Sequence, residues 1–166
     1  VVCDKFSKPD WVASDLIGQA EHDILAQCIL ISKNKNFIEK VKIEIKDQLK
    51  EVPRSSIARK SLFKNGILMY INSDRKIVDV VNKIAPEHLE LNVQNYKSFI
   101  SKIRNSGSIC LGKYAVMAMT DYNIGSNHIL PTNGSAKYSS GISVNEFYKR
   151  ISYINLSKKG IESLGP

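Results

Sequence analysis

Two kinds of apolar pattern alternate along this chain. Short apolar runs at Val1–Cys3, Gln27–Ser32, Gly66–Ile71, Leu89–Val93, Gly107–Leu111 and Ser152–Leu156 predict strands, the first three of them buried. Between them, apolar residues recur at helical spacing. Val12, Ala13, Leu16, Ile17 and Ala20 form one face of a helix from Pro9 to Glu21, with Pro9 and Asp10 as its start signal. Phe37, Val41, Ile45 and Leu49 recur among charges and predict an amphipathic surface helix over Asn36–Val52, ended by Pro53. Ser73 caps a third helix, which runs to Ile84 with Ile77, Val80, Val81 and Ile84 facing inward. Pro86 stops it, because the proline ring disfavours a helical residue before it. Further helices are predicted at Tyr96–Arg104, Asn145–Arg150 and Lys158–Leu164. From Gly112 to Gly141 no period survives, as in a long functional loop. Alternating strands and helices predict an α/β fold, a three-layer sandwich around an incomplete, nucleotide-fold-like, mostly parallel sheet. In such sheets ligands sit at the carboxyl ends of the strands, and the candidate site is expected there.

Composition narrows the function classes. The chain has 166 residues, 43% of them hydrophobic, enough for a domain with a genuine core. A charged fraction of 24% is ordinary for a folded, soluble protein. No stretch approaches the roughly 18 consecutive apolar residues of a membrane span. The opening Val1-Val2-Cys3-Asp4 has no initiator methionine, basic leader or cleavage site, so a piece of a longer chain is expected. The net charge of +8 comes from lysines spread along the chain rather than gathered in a run. That pattern favours a solvated basic surface over a nucleic-acid-binding stripe, and no nucleic-acid or membrane partner is expected. Cys3, Cys28 and Cys110 each lie in an apolar run without Cys-x-x-Cys spacing. Buried thiols in a reducing cytoplasm are expected, not disulfides or a thiolate metal site.

Candidate chemistry gathers around the three histidines. Gln19 and His22 stand three apart at the end of the first helix. They could share a metal ion, or be a polar helix end with its histidine favoured by the helix dipole. Glu87 and His88 follow Pro86 at a helix-to-strand junction, where they could flank a substrate as base and acid or form a solvated turn. Neighbours in extended chain point to opposite sides, so sharing one proton is not expected of them. Asp121 and His128 lie in a glycine-bearing loop shaped by Gly125, Asn127 and Pro131. No Walker loop, Gly-x-Gly-x-x-Gly run or Gly-x-Ser-x-Gly elbow occurs.

Taken in order, these segments resemble the C-terminal half of the histidinol dehydrogenase family. The resemblance runs through Ala13-Ser14-Asp15-Leu16, Gln19-Ala20-Glu21-His22 and Ala85-Pro86-Glu87-His88-Leu89-Glu90. It continues through Gly107 to Gly112, Asp121-Tyr122, Gly125, Asn127-His128-Ile129-Leu130-Pro131-Thr132 and Ser139-Ser140-Gly141-Ile142-Ser143-Val144. It implies a cytoplasmic, homodimeric enzyme that oxidises L-histidinol to L-histidine through the aldehyde, with zinc and two NAD+, at the end of histidine biosynthesis. By that resemblance Gln19, His22 and Asp121 are zinc ligands that also meet the substrate. Glu87 activates a water, His88 accepts protons from the substrate, and His128 lines the pocket. Residues 1–150 then form the catalytic domain, and residues 151–166 begin a C-terminal segment that is cut short. Most NAD contacts, and a tail supplying another histidine and a glutamate, have no counterpart here, so this chain alone is expected to be inactive. Asp23-Ile24-Leu25-Ala26 replaces the family's more usual Gly-Pro-Asp-Ser. The alternatives are a non-catalytic remnant and a basic nucleic-acid-binding module.

Overall fold

The structure is a computed structural model and describes residues 1–165 apart from 121, 123 and 126. Among the described residues, five parallel strands form one sheet: β1 (Val2–Cys3), β2 (Ile29–Ser32), β3 (Ile67–Tyr70), β4 (His88–Asn92) and β5 (Ser108–Leu111). Their order is β3-β2-β1-β4-β5, with Val2 opposite both Ile31 and Leu91, and His88 opposite Ser108. The expected α/β class and parallel sheet are observed, and the chain reverses its winding direction between β1 and β4.

Helices cover both faces, because successive strand residues point to opposite sides. Cys3 and Leu30 pack with α1 (Pro9–Ala20), α2 (Lys35–Gln48) and α3 (Ser55–Asn65). Val2, Ile31, Leu89 and Leu91 face the other way, against α4 (Asp74–Ile84) and α5 (Lys97–Ile100). α4 starts as predicted: the Ser73 side chain accepts from the Lys76 N–H. It ends at Ala85, which turns left-handed at φ 52°, and Pro86 follows without the N–H that a further turn would need.

Several expectations fail for identifiable reasons. α3 was not predicted, because its inward positions are the small Ala58 and Ser61, which leave a faint apolar signal. They let α3 lie close to α1, and the Ser61 hydroxyl donates to the Ala26 carbonyl at 2.9 Å. The helix expected over Tyr96–Arg104 shrinks to α5, a single turn. Asn82 on α4 captures the backbone beyond it, accepting from the Arg104 N–H at 2.7 Å and donating to the Lys102 carbonyl at 3.0 Å. The strand expected at Ser152–Leu156 does not form, and Tyr153 and Ile154 are exposed. The long loop contains α6 (Met117–Thr120) and a 3-10 turn at Ser135–Lys137. Val144–Phe147 is likewise a 3-10 turn, and α7 (Lys158–Leu164) follows with no buried residue. Cys3, Cys28 and Cys110 are buried and free of disulfides. Burial pushes the Cys3 thiol up to about 12. Among the described residues no helix is long and apolar enough to cross a membrane.

Candidate active site

Each helix in this sheet runs back from the carboxyl end of one strand to the amino end of the next. α1 therefore delivers Gln19 to the amino end of β2, and α4 delivers Glu87 and His88 to the amino end of β4. Between these ends lies a cavity of about 570 Å³ lined by Asp15, Gln19, Glu87, His88, Glu90 and Lys137, among others. Gln19, Glu87 and His88, expected at the carboxyl ends of the strands, thus lie at the opposite edge. The motifs lie at helix-to-strand junctions, and only strand-to-helix loops reach the carboxyl edge. At the switch between β1 and β4 that edge is closed by the chain itself. Asp4 accepts from the Phe6 N–H at 2.9 Å and the Gln94 N–H at 2.8 Å, while the Ser7 hydroxyl donates to the Asn92 carbonyl.

The direction of His88 follows from strand alternation. Leu89 and Leu91 point into the core on the α4 face, so His88 and Glu90 point to the α1 face, where Asp15 and Gln19 stand. A central parallel strand is normally apolar on both sides, and the polar row His88, Glu90, Asn92 breaks that rule at the cavity. His88 is held from two sides. Its Nδ1 lies 3.2 Å from the Ser108 hydroxyl on β5, and its Nε2 lies 3.6 Å from Glu87 Oε1. The expectation that Glu87 and His88 diverge is corrected: Glu87 sits in the bend before β4, where strand alternation does not apply. Gly107 makes that bend possible. Its N–H donates to the Pro86 carbonyl at 2.9 Å, and a Cβ there would stand 2.5 Å from the Glu87 carbonyl oxygen.

The other predicted residues fare differently. α1 stops at Ala20, so His22 lies beyond the helix in a turn, with its N–H directed to the Gln19 carbonyl at 3.4 Å. It is exposed and does not line the cavity, although the turn keeps it next to Gln19 along the chain. His128 is also exposed and outside the cavity lining. Its loop folds back on itself: the Ile142 N–H donates to the Ile129 carbonyl at 3.1 Å, and the Asn127 amide donates to the Ile142 carbonyl. Asp121 lies outside the described residues.

Amide oxygen and imidazole nitrogen at Gln19 and His22 suit zinc in kind. The carbonyl ends of α1 and α4, which both lead to this edge, favour a cation there. Among the described residues no group of three His, Cys, Asp or Glu is arranged to hold a metal.

Sequence reasoning assigned no role to Ser108, Asp15 or Glu90. Ser108 carries no local signal, since only the β4–β5 register brings it to His88. Glu90 was detectable as an acid in a strand buried on both sides. It is 6% exposed, and its carboxyl is pushed up to about 7, first by burial and then by the neighbouring Asp15 carboxylate. Burial also raises Asp15.

The comparisons agree with this architecture. A family model described as histidinol dehydrogenase matches residues 1–166. The chain is 76% identical to the histidinol dehydrogenase of Pelagibacter ubique over 166 residues, all of this chain and 39% of that protein. It is 42% identical to the Listeria monocytogenes enzyme of the same name, over 97% of this chain and 38% of the relative. A crystal structure of histidinol dehydrogenase from Elizabethkingia anophelis superposes with a TM-score of 0.87 at 37% identity, covering 99% of this chain and 38% of that one. The chain thus spans well under half the length of these relatives.

Proposed function

Because this chain belongs to the histidinol dehydrogenase family, we propose that its cavity is the substrate-binding part of an enzyme that oxidises L-histidinol to L-histidine with two NAD+. One observation carries the reading: His88, fixed by Ser108 and facing Glu87, opens into the same cavity as Gln19.

The chemistry assigned to these residues is proton transfer. His88 acts as the base in the tautomer whose Nδ1–H donates to the Ser108 oxygen, leaving the Nε2 lone pair toward the substrate. It takes the hydroxyl proton as the alcohol carbon gives its hydride to NAD+, producing aldehyde and NADH. Glu87, 3.6 Å from Nε2, stabilises the imidazolium that results. It then takes a proton from the water that adds to the aldehyde. After His88 has released its first proton to solvent, the hydrate loses a second hydride to a second NAD+ with His88 again accepting the hydroxyl proton, and the acid is formed. Gln19 and His22, with Asp121, would hold a zinc ion. Bound zinc supplies a fixed positive charge that orients the substrate's imidazole and amino groups. His128 is assigned to the pocket wall by the family resemblance.

Residues 1–150 are the catalytic unit in this reading, and residues 151–166 lead into a segment that completes the site. NAD contacts and the homodimer partner are supplied from the rest of the family's length, in the cytoplasm. The isolated chain is then inactive. The test replaces the matching segment of the Pelagibacter ubique relative with this chain. NADH formation on adding L-histidinol is expected, and a folded but inert graft would overturn the proposal.

A further inference from the structure

The segments bearing the candidate ligands and bases are α1, β4 and the stretch after α6. α1, β4 and α6 itself meet at one pair of carboxyl groups. Asp15 lies one helical turn before Gln19 on the same face of α1. Glu90 lies two residues after His88 on the same face of β4. The two carboxyl groups are within hydrogen-bonding reach of each other, and both line the cavity. Glu90 Oε1 also accepts from the Met117 N–H at 3.3 Å, at the first residue of α6. α6 packs on α1 and ends at Thr120, immediately before Asp121 in the sequence.

We propose that Asp15 and Glu90 are positioning residues: one shared proton joins them into a clamp that sets the spacing of α1, β4 and α6, and with it the geometry of Gln19 and His88. Two facing carboxylates repel when both are ionised, while a single proton turns the pair into a short, strong hydrogen bond. Burial of Glu90 and partial burial of Asp15 in the cavity wall lower the dielectric and favour this state, and burial holds both carboxyls above the usual range. The other titratable groups beside the pair are the Val1 amino group, which donates to the Ile29 carbonyl at 2.7 Å, the Cys3 and Cys110 thiols, and Glu87, His88 and Lys137 in the same cavity wall. The inference rests on the reading of the cavity as the substrate site, but it also makes a statement about the fold that can be read separately.

The experiment has two arms. In the graft described above, Asp15→Ala and Glu90→Ala are compared with Asp15→Asn and Glu90→Gln. An amide can donate to the remaining carboxylate and preserve the link. The alanine variants should lose about tenfold or more in kcat/KM and in zinc affinity, as outer-sphere changes do. The amide variants should recover most of both. With cobalt in place of zinc, the visible spectrum should shift in the alanine variants and stay near the parent's in the amide variants. In the second arm, hydrogen exchange on this chain alone should show faster exchange at Met117–Thr120 and the last turn of α1 in Glu90→Ala, with α2 unchanged. Alanine variants matching the parent in kinetics, cobalt spectrum and exchange would overturn the clamp. If the parent graft is inert, the functional reading fails and the exchange arm alone decides: local loosening at α6 and α1 supports the clamp, and unchanged protection sinks it.

Discussion

His88 and Ser108 face each other across two neighbouring strands, imidazole Nδ1 to hydroxyl oxygen at 3.2 Å. This contact orients the ring and selects the nitrogen left open to the cavity. Ser108→Ala in the graft should slow histidinol oxidation by about three- to tenfold, the value of one ordinary hydrogen bond, with little change in melting temperature. His88→Asn should cost about a hundredfold or more, as loss of a general base does. Equal rates for parent and Ser108→Ala would remove Ser108 from the mechanism.

Glu90 predicts a pH dependence of stability. Its carboxyl is raised from 4.5 to about 7 by burial and by Asp15, against the opposing influence of the Val1 amino group and the Met117 N–H. The folded chain therefore holds this proton more tightly than the unfolded chain. Its stabilising contribution is complete below about 4.5 and is lost as the pH rises through about 7. Glu90→Gln cannot ionise there, so its melting temperature should gain on the parent's as the pH rises across that window. Parallel melting curves for the two proteins would contradict this.

Gly107 should not tolerate a side chain. A Cβ placed 2.5 Å from the Glu87 carbonyl oxygen must push backbone, not a flexible side chain. Gly107→Ala should cost about 1–3 kcal/mol by denaturant titration, as overpacking does. It should also displace Glu87 and His88, so activity in the graft should fall further than stability alone explains.

The chain without the remainder of the family's length should bind zinc weakly and produce no NADH from L-histidinol and NAD+. Steady NADH production by the purified chain, with zinc supplied, would refute the view that essential groups lie outside it.

An apolar row is exposed beyond the sheet, including Phe147, Tyr148, Tyr153 and Ile154. Exposed apolar surface of this extent drives association. Light scattering should show mass rising with concentration, and Tyr153→Lys with Ile154→Lys should suppress it. A parent that stays monomeric across the same range would count against the prediction.

Local pattern carried the fold a long way. β1, β2, α2 and α4 were legible because each has a clear period or cap, as at Ser73 and Pro86. α3 was not, because Ala58 and Ser61 pack by being small rather than apolar. Tyr96–Arg104 has helical spacing, but Asn82 takes the backbone groups that further turns would need. Of the candidate residues that the motifs point to, Gln19, Glu87 and His88 line one cavity. His22 and His128, candidates on the same grounds, stand exposed outside it.

The sequence by itself determined the alternation of strands and helices, the α/β class and the family, since these depend on residue type and spacing along the chain. Only the tertiary structure decided at which edge of the sheet the candidate residues gather. Helices in a parallel sheet run against the strands, so motifs at helix-to-strand junctions gather at the amino edge. It also decided the partners: Ser108 meets His88, and Asp15 meets Glu90, through strand register and helix docking. Those contacts join residues far apart in the chain, where no local pattern can record them.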